Sequence, residues 1–288
     1  MTYRGGVHES PTENDVKQYW ERYPLLSHEL GSVSATKHWQ SLDLLKQTDI
    51  ERFALHYWKF DDVRGKKLLD IGCGPGWLTV QYAAAHAKVF AVDLTEAAVN
   101  ITSQILDAKS LSADVRVASA ESLPFEDKSF DFVVSSGVLH HTPDTLRAFR
   151  EAFRVTRPGG IGLITLYRLG ILHSSLVFPV VQALMRMTQT KHPGADLGKT
   201  ATSVQDFVRQ YDGSDNPVGI AKTNREWCAD LEGVGWTIEG IENHYFPIRM
   251  VPILRRAPRW FHKMLDRFFG TMVYFTLRRA NSSMSPKE

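Results

Sequence analysis

The sequence predicts a doubly wound α/β fold, and three observations carry that prediction. Residues 68–76 read Leu-Leu-Asp-Ile-Gly-Cys-Gly-Pro-Gly, an apolar strand running straight into a glycine-rich turn. A second apolar run, Lys88-Val-Phe-Ala-Val-Asp93, ends on an acid. Further short apolar runs alternate with amphipathic stretches, the pattern of strand, helix and strand that builds a parallel sheet. Glycines let the turn take positive φ and bring its backbone close to a ligand. The acid, about 20 residues past the turn, is placed to accept from the two hydroxyls of a ribose.

The turn narrows the ligand. A dinucleotide fingerprint needs Gly-x-Gly-x-x-Gly, its third glycine packing a helix beneath a pyrophosphate. Here Gly72-Cys73-Gly74-Pro75-Gly76 closes early, and Trp77 stands where open backbone amides would be required. A ribose-bearing ligand without phosphate fits better, and S-adenosylmethionine is the common one. Asp70, just before the turn, suits a cationic ligand and would repel a phosphate.

The remaining elements follow in order. Val16, Tyr19, Trp20 and Tyr23 have helical spacing that stops at Pro24. One or two further helices are predicted over residues 36–60. Strands are expected near 67–71, 88–93, 114–118, 131–135 and 160–167, with helices near 76–86, 95–109 and 143–156. Pro158-Gly-Gly160 reads as the turn opening the fifth strand. The last two strands are expected near 236–244 and 272–279. Between strands five and six lies an insertion of roughly 65 residues, far beyond the usual connection. It includes an apolar helical part at 171–188, a polar part with Asp212-Gly-Ser-Asp-Asn-Pro217, and a helix from Thr223 with capping chemistry.

These segments resemble the class I S-adenosylmethionine-dependent methyltransferases of the small-molecule branch. The likeness is carried by Leu68–Gly76, Val89–Leu94, Val117–Phe125, Phe130–Asp144 and Phe153–Thr165, and covers roughly residues 65–167. It implies a seven-stranded sheet with the cofactor at the carboxyl ends of its first strands. The chain then divides into a helical cap (1–64), a Rossmann-like core (65–170), an inserted lid (171–235) and the last core strands with a basic amphipathic excursion (236–288). The resemblance implies that Gly72, Cys73, Gly74 and Gly76 cradle the methionine and ribose moieties, with Asp70 nearby. Asp93 would take the ribose hydroxyls, and Leu94 would lie against adenine. Ala120 and Glu121 would meet the adenine edge, and Ser136 would face the cofactor from the fourth strand. The family carries aspartate before the Ala-Glu pair; here that position is Ser119, a weaker acceptor than a carboxylate. Tyr19 and Tyr23 would fold over the cofactor from the amino-terminal helix, or simply pack within it.

Composition sets the outer bounds. The chain has 288 residues, 43% of them apolar, a net charge of +2 and two cysteines, Cys73 and Cys228. Two cysteines give no disulfide framework, and the amino terminus has no apolar signal core, so a reduced, cytoplasmic setting is expected. The charge is uneven: between Arg249 and Arg267 six basic residues face one acid, Asp266. Low overall charge, with no aromatic-basic platform, argues against nucleic acid. Trp260, Phe261, Met264, Leu265 and Phe268 share helical spacing, a stripe that ordinarily faces a core. The basic residues among them suit a solvated face, an anionic substrate group, or acidic lipid headgroups.

His140-His141 is the sharpest catalytic candidate, because the resemblance puts the end of the fourth strand beside the reactive methyl group. An imidazole there could take the proton of an acceptor hydroxyl; helix capping or cavity packing is the competing role. Trp20, Tyr167, Arg249 and Arg255 are candidate substrate contacts, and no metal is expected. The leading reading is methyl transfer from S-adenosylmethionine to a small-molecule metabolite, with oxygen favoured as the acceptor atom, leaving S-adenosylhomocysteine. Nitrogen, sulfur or carbon acceptors of lipid-like or natural-product type use the same core. A non-catalytic cofactor-binding regulator is the reading from a different class.

Overall fold

In the computed structural model, residues 10–24, 34–187, 201–246, 254 and 256–281 are described. Seven strands form one mixed sheet: β1 (Lys67–Ile71), β2 (Lys88–Asp93), β3 (Asp114–Val117), β4 (Phe130–Ser136), β5 (Thr156–Tyr167), β6 (Trp236–His244) and β7 (Met272–Arg279). Their order is β3-β2-β1-β4-β5-β7-β6, and only β7 runs against its neighbours. The helices are α1 (Glu13–Arg22), α2 (Ala35–Leu45), α3 (Trp77–Ala84), α4 (Glu96–Ala108), α5 (Thr145–Val155), α6 (Phe178–Met187), α7 (Val204–Arg209), α8 (Asn224–Val234) and α9 (Arg259–Phe269).

β1 and β4 are buried on both faces, which is why their sequences are nearly unbroken apolar runs. One apolar layer joins α3 and α4 to Trp39, Leu42, Tyr57 and Trp58 from the amino-terminal region. The other gathers Phe149, Ala152, Trp227, Leu231 and Trp236 around α5 and α8. α8 is therefore a helix of the main sheet, although it lies within the long insertion. Its start matches its sequence: Thr223 and Glu226 close a reciprocal capping box, and Gly235 ends it in the left-handed region. Among the other described residues of the insertion, Ala201, Phe207, Val208 and Ala221 form a small core against Tyr167, Leu169, Phe178 and Tyr211.

Two expectations are corrected. Pro158-Gly-Gly160 does not precede β5 but bulges within it. Phe130 pairs with Thr156 and Phe132 with Ile161, so the partner strand accommodates extra residues, with Gly159 at φ 75°. The apolar stripe of α9 is not core-facing as a whole. The helix buries His262, Leu265 and Asp266, while Trp260, Met264 and Phe268 are exposed. β6 is an edge strand, and α9 packs against it. No cavity-lining residue described below comes from α9.

Candidate active site

The carboxyl ends of β1, β2 and β4 open into a cavity whose empty volume, open mouth included, is about 1390 Å³. Its floor is the glycine turn. Gly72, Gly74 and Gly76 all have positive φ, and at Gly72 a Cβ would lie 2.4 Å from the Val138 methyls. Only glycine fits where the backbone both turns left-handed and touches the β4 loop. The Gly72 and Cys73 N–H groups donate to the Val92 carbonyl at 2.7 and 3.0 Å, stitching the turn to β2.

Asp93 organises this loop as well as facing the cavity. Its Oδ2 accepts from Gly74 N–H at 2.9 Å, and its Oδ1 accepts from Thr95 N–H and Oγ1–H at 2.9 and 2.7 Å. Oδ2, with a single donor, retains acceptor capacity for a further one. Burial raises its pKa, partly offset by the Thr95 and Gly74 hydrogen bonds. Asp70 is buried more deeply, with Thr79 Oγ1 donating to Oδ2 at 2.7 Å, and burial pushes its pKa up to about 7. Burial also drives the Cys73 thiol well above its usual range. A neutral, buried Cys73 is therefore a wall of the cavity rather than a nucleophile.

At the β2–β3 side, Leu94, Ser119, Ala120 and Glu121 all line the cavity. Ser119 is unexpectedly partnered: its hydroxyl donates to the Glu13 carboxylate and accepts from Glu121 N–H at 3.1 Å. Glu13 comes from the first turn of α1 and lines the cavity too. A carboxylate thus stands beside the one position where the family motif loses its own.

At the β4 end, Ser136 and His141 line the cavity, whereas His140 does not. His140 is fully buried between the rings of His141 and Tyr167, at centroid separations of 4.3 and 4.1 Å. Neither of its ring nitrogens has a hydrogen-bond partner among the described residues, and burial depresses its pKa far below the usual value. Its neutral ring fills space. His141 is held at both nitrogens: Nδ1 lies 2.6 Å from the Val218 carbonyl, and Nε2 lies 3.2 Å from Asp212 Oδ2. The carbonyl only accepts, so Nδ1 carries a proton, and Nε2 is the nitrogen that faces the Asp212 carboxylate.

Asp212 belongs to the insertion and lines the cavity. Tyr167 donates to its Oδ2 at 2.5 Å, and Tyr19 donates to its backbone carbonyl at 2.6 Å. Of the aromatic candidates, Trp20 lines the cavity and meets His141 edge-on at 5.4 Å. Tyr19 and Tyr167 brace Asp212 from behind instead, and Tyr23 packs on Tyr19 at 5.3 Å. Arg249 and Arg255 lie outside the described residues. Glu13, Lys46 and Asp212 are cavity residues that the sequence reading did not assign to the site. Asp212 lay in a polar turn-like segment whose composition alone signals only a loop.

Residues 69–164 match the family model described as a methyltransferase domain. Two curated relatives share this region. A malonyl-[acyl-carrier protein] O-methyltransferase of Erwinia billingiae is 38% identical over 112 residues, covering 38% of this chain and 42% of the relative. A demethylmenaquinone methyltransferase of Geobacillus stearothermophilus is 36% identical over 102 residues, covering 34% and 44%. The matched part thus spans less than half the length of these relatives. Among solved structures, the [4+2]-cyclase SpnF superposes with a TM-score of 0.59 at 18% identity, over 97% of this chain and all of that one. A S-adenosylmethionine-dependent methyltransferase from Methanosarcina mazei superposes with a TM-score of 0.55 at 19% identity, over 79% and 97%. These likenesses establish the fold. Residues 69–164 thus carry a methyltransferase domain, and the whole sheet has the fold of these solved structures.

Proposed function

We propose that the protein transfers a methyl group from S-adenosylmethionine to a small-molecule acceptor. One observation carries this reading: a single cavity is lined both by the Gly72–Gly76 turn with Asp93 and by His141 with Asp212. The turn and Asp93 suit a ribosyl ligand without phosphate, since no basic side chain is needed there and the Asp70 and Asp93 carboxyls disfavour an anion. Bound S-adenosylmethionine supplies an electrophilic methyl carbon; what this chain's residues contribute is alignment and proton handling.

Asp93 holds the ribose hydroxyls, Leu94 packs on the base, and Ser119 with Glu13 meets the adenine edge. Glu13 thereby takes the place of the aspartate that the motif lacks. Acceptor oxygen is favoured because the His141–Asp212 pair is equipped to take a hydroxyl proton. Nε2 accepts it, and the adjacent carboxylate, fixed by Tyr167, stabilises the resulting imidazolium. Trp20 and the insertion close the acceptor side.

A second reading has specific support: a structure named as a cyclase matches nearly the whole chain in fold. The fold is therefore compatible with chemistry other than methyl transfer. Calorimetric titration with S-adenosylhomocysteine, followed by metabolite profiling with methyl-labelled S-adenosylmethionine, separates the two. Binding with label transfer supports the proposal; binding without transfer to any metabolite favours the second reading; absence of binding removes both.

A further inference from the structure

The exposed face of α9 has a composition that an ordinary solvated helix lacks. Trp260, Met264 and Phe268 recur at i, i+4 and i+8 and are 68%, 36% and 52% exposed. Arg256, Arg259, Lys263 and Arg267 flank them, all exposed. The only acid between 256 and 269, Asp266, points inward, where its Oδ1 accepts from Phe246 N–H at 2.8 Å. The exposed residues of the helix are therefore large apolar side chains and cations with no carboxylate among them, and Arg259 and Lys263 also lie over the Phe53 ring at 5.8 and 5.7 Å. Beside it packs the turn Ile171–His173, whose Ile171 is also more than half exposed.

The helix has a defined place on the sheet. β5 runs parallel to β4, and β7 runs antiparallel to β5, with Met272 paired to Tyr167. The β6–β7 connection that contains α9 thus leaves and rejoins the sheet at its carboxyl edge, the edge on which the cavity opens.

We propose that this face of α9 docks the protein onto an anionic lipid surface. Aromatic rings beside cations are what a helix needs to lie in the headgroup region: the rings enter the acyl boundary and the cations stay with the phosphates. An aqueous role leaves the rings unexplained, because exposed apolar patches of this kind mark interaction surfaces. An acidic protein partner would satisfy the cations but gives no particular reason for the Trp and Phe. Docking brings the carboxyl edge of the sheet beside the bilayer, which favours an acceptor held in or at the membrane. That last consequence rests on the proposed function; the docking itself does not.

Co-sedimentation with phosphatidylglycerol-containing and with pure phosphatidylcholine vesicles tests it directly. The wild-type chain is expected to pellet with the anionic vesicles, to ignore the neutral ones, and to be released as salt rises toward about 1 M, where charges are screened beyond ~3 Å. Trp260→Ser with Phe268→Ser should weaken binding at least about tenfold. Arg256→Glu with Arg267→Glu should do so more strongly, each lost cation alone being worth about fivefold. These positions are exposed, so unchanged thermal unfolding certifies that the variants remain folded. Equal partition between the two vesicle types, or wild-type binding by both double variants, overturns the inference. Sedimentation velocity supplies the other decisive outcome: a dimer abolished by the Trp260 and Phe268 changes, with no vesicle binding, makes a second copy the occupant and refutes the lipid surface.

Discussion

Asp212 Oδ2 lies 3.2 Å from His141 Nε2, tying the long insertion to the end of β4 at the cavity wall. Since Nδ1 is committed to the Val218 carbonyl at 2.6 Å, this pairing leaves Nε2 and the carboxylate as the two groups able to share a proton. Tyr19 and Tyr167 hold Asp212 from opposite parts of the chain, so α1, β5 and the insertion converge on one residue.

The first prediction follows from that pairing. His141→Gln should lower turnover by about 10²–10⁴-fold, the range of a lost general base, with S-adenosylhomocysteine affinity nearly unchanged. Asp212→Asn should give a loss in turnover of the same kind. His140→Gln differs in character: it inserts polar atoms where a neutral ring packs without partners, so it should cost stability first. Steady-state kinetics beside thermal unfolding distinguish the cases. Full turnover in His141→Gln would show that the acceptor needs no base here, as an amine or thiol would not.

Much of the core was legible in the sequence, and the reason is physical. Every strand was placed to within about four residues, and β1 and β4 most closely follow the rule that strands buried on both faces are short apolar runs between turn residues. The β5 start was the exception, since a bulge built from Pro158-Gly-Gly160 has the composition of a turn. The glycine turn and Asp93 were legible because their backbone geometry demands those residue types. Asp212 and Glu13 were not, because each acquires its place from a contact with a segment remote in sequence. The periodicity of α9 showed an amphipathic helix but not which side the sheet would cover.

A second prediction concerns Glu13 and Ser119. If this pair meets the adenine amino group, the protein should prefer S-adenosylhomocysteine over its deaminated analogue S-inosylhomocysteine, whose 6-oxo group accepts instead of donating. A hydrogen bond to a charged group is worth about 1.5–3 kcal/mol, roughly ten- to a hundred-fold in affinity. Glu13→Gln presents an amide that can donate, so the preference should shrink or reverse. Calorimetry with both ligands on both proteins reads this without any turnover. An unchanged preference in Glu13→Gln, with wild-type binding intact, would remove Glu13 from the adenine edge while leaving cofactor binding untouched.

Gly72 and Val138 give a third, purely structural test. A Cβ on Gly72 would meet Val138 Cγ1 and Cγ2 at 2.4 Å, and the residue sits at φ 75°. Gly72→Ala should destabilise by about 1–3 kcal/mol, combining overpacking with left-handed backbone strain. Adding Val138→Ala removes the two methyl contacts but leaves the residue-138 Cβ at 2.8 Å and the φ penalty, so it should recover only part of the loss that Gly72→Ala causes on that background. Chemical denaturation of the four proteins forms a double-mutant cycle. A coupling energy near zero would mean that the β4 loop yields freely at this point.

Asp70 supplies the pH dependence. Its carboxyl is buried beneath the glycine turn, and its pKa is pushed up to about 7, burial being the largest cause, against about 3.9 for an unfolded chain. A group whose folded pKa exceeds its unfolded one holds its proton more tightly in the native state. Its contribution to stability is therefore fully present below about pH 4 and is lost progressively as pH rises to about 7. Replacing it by Asn keeps an acceptor for the Thr79 hydroxyl, which donates at 2.7 Å, and removes the buried charge. Asp70→Asn should thus raise the unfolding temperature more at pH 8 than at pH 5, flattening the profile across this interval. Thermal unfolding of both proteins at those two pH values measures it. An equal effect at pH 5 and pH 8 would show that Asp70 is ionised in the native state throughout, compensated by a cation such as the cavity-lining Lys46.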